Sequence, residues 1–205
     1  MVLDPTCAIF ITQNPSYKGR SQLPDNLKAL FRPVAMMIPE YSMIAEISLY
    51  SYGFINARAL SIKLVTSLRL ASEQLSQQGH YDYGMRAVIT IIKAAGGLKL
   101  ENINEDEDKI ILAAINDSNI SKFVAKDIPL FKGITQDLFP DVGIIERDMN
   151  TITEVLEEKL EEMKLDRNSL FMEKLIQFYN LIKVRHGIMI IGDSMTAKST
   201  IMDLL

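Results

Sequence analysis

CAIFITQNPSYKGRSQLPDNLKALFRP, residues 7–33, decides how the N-terminal part of this chain is read. Residues 7–12 are small, β-branched or aromatic and carry no charge, so they make a poor helix and suit a strand buried on both faces of a parallel sheet. The strand ends in the polar tip Thr12-Gln13-Asn14-Pro15. After the Asn-Pro breaker, a loop with Gly19 leads to Pro24-Asp25, which opens a helix over about 26–31, and Pro33 ends it. Residues 34–38 read as a second short buried strand, closed by Pro39. Strand, loop, short helix and strand together are the tail of an α/β sheet domain.

From Glu40 onward the apolar period becomes helical. Leu60, Leu64, Leu68, Ala71 and Leu75 recur at three- and four-residue spacing within 57–78, so they line one helix face that must be packed. An earlier helix over about 42–52 places Ile44, Ile47 and Tyr50 on one side. A later one begins near Asp82 and is expected to stop at Gly96-Gly97. Further helices are expected over 105–116 and 129–138, the latter with Pro129 in its first turn. A shift in composition at 140–150, with Pro, Gly and mixed charge, marks a module boundary. Beyond it lies an acidic helix, EVLEEKLEEMK at 154–164, read as a solvated face rather than a docking surface for a basic partner. Another spans about 168–185, with Leu170, Phe171, Leu175, Phe178 and Ile182 on its stripe and Gly187 as its stop. Residues 188–191 then read as a short buried strand that runs into a glycine loop, and a helix begins at Thr200.

Composition narrows the function classes. Of 205 residues, 48% are apolar, ample for a folded core in one or two domains. A net charge of −4 and an isoelectric point near 5.3 argue against a nucleic-acid surface, which needs clustered Lys and Arg. Cys7 is the single cysteine, so no disulfide framework is possible; it is read as a small core residue in a reducing compartment. No charged leader opens the chain, and its apolar runs fall far short of a membrane span. A cytosolic or cytoskeletal location is expected, in which the N-x-S triplets at Asn116 and Asn119 arise by chance. His80 and His186 lack a second ligand at metal spacing and are read as packing or capping residues.

The segment GDSMTAKS follows the third expected strand and precedes a helix. In GxxxxGK[ST] loops the backbone N–H groups curl around a phosphate at a helix start, the lysine adds a point charge, and the Ser or Thr hydroxyl reaches magnesium. The frame here is Gly192, Asp193, Ser194, Met195, Thr196, Ala197, Lys198 and Ser199, with Ser199 as the metal-side hydroxyl. Ala197 stands where the pattern has glycine. If that position needs a positive φ, its methyl costs about 1 to 2 kcal/mol.

FITQNPSYKGR, LPDNLKALFR, HYDYGMRAV at 80–88 and GDSMTAKS, taken together and in this order, resemble the dynein heavy chain. FRPVAMMIPEYSMIAEISLYSYGF is closest to the axonemal, ciliary style, and the resemblance runs over nearly the whole chain. It implies a mostly α fold with a small α/β part: a partial AAA+ module followed by the start of a second. Residues 1–40 would be the C-terminal part of the first large subdomain, 41–140 its helical lid, 141–186 a linker with leading helices, and 187–205 the start of the second module with its phosphate loop.

The resemblance also implies roles. Asn14 would be sensor 1, placed to orient the attacking water and the γ-phosphate, a task suited to an amide that donates and accepts without charge. A turn-forming Asn before Pro is the plainer alternative. Ser16 and Lys18 depart from the usual glycine and alanine of this loop. Arg86 would be sensor 2, a lid arginine whose fork reaches the γ-phosphate; a surface arginine that only caps or pairs is its alternative. Arg32 resembles an arginine finger. The ligands implied are ATP or ADP with Mg2+, and the partners are the rest of the dynein ring and other dynein chains, with microtubules reached only through parts of the parent outside this chain. No nucleic acid or membrane is expected. The location implied is the cytoplasm and cytoskeleton, in a ciliary or flagellar axoneme.

The phosphate loop and acidic strand of the first module would precede residue 1, so this chain alone is expected to be inactive. Two rivals remain: a non-catalytic helical interaction fragment, and a remodelling AAA+ ATPase. The strands around Ile9 and Met36 are expected to leave exposed edges and a tendency to aggregate.

Overall fold

The structure, a computed structural model, describes residues 4–13, 23–140, 142–143, 150–184 and 187–205. The chain divides into two compact units, Met1–Pro39 and Glu40–Leu205.

The first unit holds one short helix, α1 (Asp25–Lys28), which opens on the Pro24 carbonyl and is shorter than the expected 26–31. Neither 7–12 nor 34–38 forms a strand. Phe10 is 92% exposed and Met37 94% exposed, and Cys7 lies at the surface rather than in a core. The same holds in the second unit for 188–191, where Met189 and Ile191 are exposed. The expected sheet is therefore absent among the described residues, and the fold is mostly helical. A helix satisfies its own backbone, whereas a parallel strand takes its donors and acceptors from a neighbour, usually across a connection of about a dozen residues or more. None of these apolar runs meets such a neighbour among the described residues.

The second unit contains α2 (Tyr41–Ser51), α3 (Ala57–Gln74), α4 (Met85–Glu101), α5 (Glu107–Asn119), a 3-10 turn (Ile120–Lys122), α6 (Ile128–Leu138), α7 (Asn150–Glu162), α8 (Ser169–Val184) and α9 (Lys198–Leu204). Leu60, Leu64, Leu68, Ala71 and Leu75 are all buried, so the face read from the α3 spacing is the packed one. It meets α2, α5 and α6, while α4 packs on α2 and α5. Helix α2 is turned from expectation: Ala45 and Leu49 are buried, and Ile47 and Tyr50 are exposed. On α8, Leu175 and Met172 are buried, and Leu170 and Ile182 are exposed.

Helix α4 does not stop at Gly96-Gly97 but runs on to Glu101. A Cβ on Gly96 would lie 2.4 Å from Cδ1 of Tyr52, so this glycine admits a ring at the α2–α4 crossing instead of ending the helix. Gly97 has open space around it.

Between α2 and α3 the chain turns at Gly53, whose φ of +82° suits glycine. The turn is fastened from two helices at once. Glu107 on α5 accepts the N–H groups of Ile55 at 2.8 Å and Asn56 at 2.9 Å and pairs with Lys99 of α4. Lys99 donates to the Gly53 carbonyl at 2.6 Å and lies 4.3 Å from the centre of the Phe54 ring. Burial acts to raise the Glu107 carboxyl, but the Lys99 bond and the two N–H groups outweigh it and hold it below the usual range. A second, smaller core joins Leu156 and Leu160 of α7, Met172 and Leu175 of α8 and Leu204 of α9. The charged side of α7 faces solvent at Glu154, Glu158, Glu161 and Glu162.

Candidate functional site

The glycine loop closes around the ammonium of Lys198. Its Nζ donates to the carbonyl of Gly192 at 3.0 Å, to Thr196 Oγ1 at 3.2 Å and to the carbonyl of Asp193, and Thr196 Oγ1 in turn donates to the Asp193 carbonyl at 2.7 Å. A Cβ on Gly192 would stand 3.0 Å from Thr196 Oγ1 and would push that hydroxyl aside by a few tenths of an ångström. Two residues take left-handed backbone, Met195 at φ 64° and Ala197 at φ 56°. Ala197 thus occupies the very conformation for which the pattern uses glycine, and its methyl carries a strain of about 1 kcal/mol.

Ala197 also starts α9, its carbonyl accepting the Ile201 N–H at 3.0 Å, and no side chain caps that helix. The free first-turn N–H groups and the inward ammonium form a donor set that fits a nucleotide phosphate. The loop is exposed, whereas the far end of α9 is anchored by Leu204 in the second core.

Arg86 lies in the first turn of α4, exposed, and no described residue pairs with its guanidinium. Sequence reasoning missed the hydrogen-bonded cluster in the segment that precedes α4. Tyr81 OH donates to Asp127 Oδ2 at 2.8 Å and accepts the Val124 N–H at 2.8 Å; Ser76 Oγ donates to the same carboxylate oxygen at 2.5 Å. His80 Nε2 meets the Lys122 carbonyl at 3.0 Å, a packing role. The Tyr81 ring stands edge-on to Phe123 at 5.0 Å, and Phe123 meets Phe131 at 4.7 Å. The Ser76 hydroxyl leads in lowering the Asp127 carboxyl, joined by Tyr81 against the effect of burial. Burial pushes the phenols of Tyr81 and Tyr83 up, and the buried Tyr83 hydroxyl meets no hydrogen-bond partner among the described residues. Asp127-Ile128-Pro129 reads in sequence as an ordinary helix start, which hides this use of the carboxylate.

Gly192, Asp193, Thr196 and Lys198 are therefore gathered about one ammonium, while Arg86 heads a separate helix. Arg32 belongs to the first unit and is exposed. Asn14, with Ser16 and Lys18, lies outside the described residues, as does His186.

Residues 1–199 match the family described as the hydrolytic ATP binding site of the dynein motor region. The chain is 54% identical over 203 residues to dynein axonemal heavy chain 12 of Rattus norvegicus, covering 99% of this chain and 7% of that protein. It is 54% identical over 198 residues to dynein axonemal heavy chain 3 of Homo sapiens, covering 97% of this chain and 5% of the relative. Human dynein axonemal heavy chain 1 is 52% identical over 198 residues, with 97% and 5% covered. The chain thus spans only a small part of the length of these relatives. With identity above half across nearly all of its residues, the chain belongs to the dynein heavy chain family, in its axonemal branch.

Proposed function

We propose that this chain is the part of an ATP-driven, microtubule-directed motor in which the lid of the first AAA+ module meets the phosphate loop of the second. Within it, 1–40 would close the first large subdomain, 41–140 would be the lid, 141–186 the connection, and 187–205 the opening of the next module. The observation that carries the reading is the Lys198 ammonium drawn into the left-handed loop at the head of α9.

When a nucleotide enters, its phosphate oxygens are stronger acceptors for that ammonium than the neutral carbonyls of Gly192 and Asp193, so Lys198 exchanges loop contacts for a charge-assisted one. Ser199 offers the hydroxyl for Mg2+, whose charge offsets that of the outer phosphates. The Ala197 strain is consistent with a modest site that retains nucleotide more than it turns it over.

Arg86 is assigned to the γ-phosphate of the first module's nucleotide, with Asn14 orienting the attacking water. Arg32 is assigned to a neighbouring module. An exposed guanidinium with no competing carboxylate among the described residues suits such a phosphate, and loss of that contact after hydrolysis would release the lid. The partners are the remaining modules of the ring and other dynein chains, in the axoneme of a cilium or flagellum.

A titration of the purified chain with a fluorescent ATP analogue and Mg2+ tests the loop. Saturable binding that weakens by roughly tenfold or more in Lys198→Ala is expected. Absence of saturable binding would leave the helical interaction fragment as the better reading.

A further inference from the structure

We propose that Asp127 is a positioning residue for Arg86: by holding Ser76 and Tyr81 on one carboxylate, it fixes where α4 begins and the direction in which the guanidinium leaves the bundle. The inference rests on the reading of Arg86 as a γ-phosphate sensor. Asp127 is the N-cap residue of α6, where an Asp ordinarily accepts an N–H of its own helix, yet it makes no such bond. Pro129 removes one of the N–H groups a cap would serve. The carboxylate turns instead to groups far earlier in the chain, the hydroxyls of Ser76 and Tyr81 and, at 3.4 Å, the Ser76 N–H.

These bonds lie inside the bundle, with Asp127 only 7% exposed. They hold the segment joining α3 to α4 at two points: Ser76 lies two residues beyond the end of α3, and Tyr81 lies four residues before the start of α4. Little slack remains between Tyr81 and Arg86, because Asp82 Oδ1 accepts the Gly84 N–H at 2.9 Å and the Gly84 carbonyl accepts the Ala87 N–H at 3.0 Å. The Tyr81 ring is backed in turn by Phe123 and Phe131 of the main core. Shifting the Tyr81 hydroxyl therefore shifts the first turn of α4, and a guanidinium carried on that turn is displaced with it. Displacements of about 1 Å at a reacting centre cost up to about a hundredfold in rate.

The test uses a complete heavy chain carrying this segment, with ATP turnover, ADP affinity and melting measured together. Asp127→Asn, and Tyr81→Phe as the milder change that removes one oxygen, are expected to lower kcat about tenfold with ADP affinity unchanged. Neither should lower it further when Arg86 is already Ala. Glu107→Gln, which loosens the Gly53 turn in the same bundle, should lower the melting temperature with kcat retained. A kcat that survives both Asp127→Asn and Tyr81→Phe overturns the proposal. So does an equal fold-loss in the Arg86→Ala background, or a loss of kcat in Glu107→Gln as large as theirs. If Arg86→Ala itself leaves turnover intact, the sensor reading fails and takes the positioning role with it. If Arg86→Ala is damaging and Asp127→Asn is silent, only the positioning role fails.

Discussion

Residues 34–38 are apolar at every position and residues 57–75 at only about half, yet it is the second stretch that is buried. In the second, Leu60, Leu64, Leu68 and Ala71 are buried to within 2% of full enclosure; in the first, Val34, Met36, Met37 and Ile38 are each at least 80% exposed. The difference lies in the backbone. A helix closes its own hydrogen bonds and needs neighbours only for its apolar stripe, which α2, α5 and α6 supply to α3. A strand needs a partner before its side chains have a surface to cover.

The largest test of that contrast removes one side chain from each region. Leu64→Ala should lose about 3 kcal/mol of stability, whereas Met37→Ala should stay within about 0.5 kcal/mol, as read by urea unfolding. Equal losses would show that 34–38 is packed after all.

A smaller test separates the two glycines inside α4. Gly96→Ala forces a methyl into the Tyr52 ring and should cost about 2 kcal/mol. Gly97→Ala meets nothing and should stabilise the helix by about 0.5 to 1 kcal/mol. Thermal melts of the two variants are expected to move in opposite directions.

The Glu107 carboxylate comes next. Because its folded value is depressed, its contribution is fully present above the unfolded carboxylate range, near about pH 4.3, and is lost as pH falls through the folded value. Glu107→Gln should therefore be less stable than the parent at neutral pH by about 1.5 kcal/mol. The gap should narrow on acidification below about pH 4. A gap that stays constant down to pH 3 would contradict the assigned ion pair.

The smallest effect is expected at Ala197→Gly. Relief of the left-handed methyl should stabilise the loop by about 1 kcal/mol and tighten nucleotide binding by about fivefold in the same titration. No change in either would place the strain elsewhere.

What the sequence makes legible follows the same physical line. The α3 face can be read because one side of a long helix carries nearly all of its leucines. The face of α2 cannot, since Ile44, Ile47 and Tyr50 repeat at helical spacing as well, while the residues that α2 buries are Ala45 and Leu49. Gly96 looks like a helix stop because the ring that needs its space, Tyr52, comes from the residue just past the end of α2. The question posed by Ala197 is legible, because backbone handedness there is a local property, and the structure answers it with a positive φ. The bonds of Asp127 are not, since they join residues about fifty positions apart and local spacing holds no trace of them. Residues 7–12, 34–38 and 188–191 are legible as β-prone composition, yet none forms a strand, because pairing needs a neighbour that local composition does not supply.

The seat of Tyr52 on Gly96 governs how a push on this bundle is transmitted. With an aromatic ring set into the notch of a missing side chain, α2 is pinned to α4 and cannot slide along it unless the ring first climbs out. Sliding of the two helices past one another is therefore expected to be resisted at this notch before it is resisted anywhere along their smoother faces.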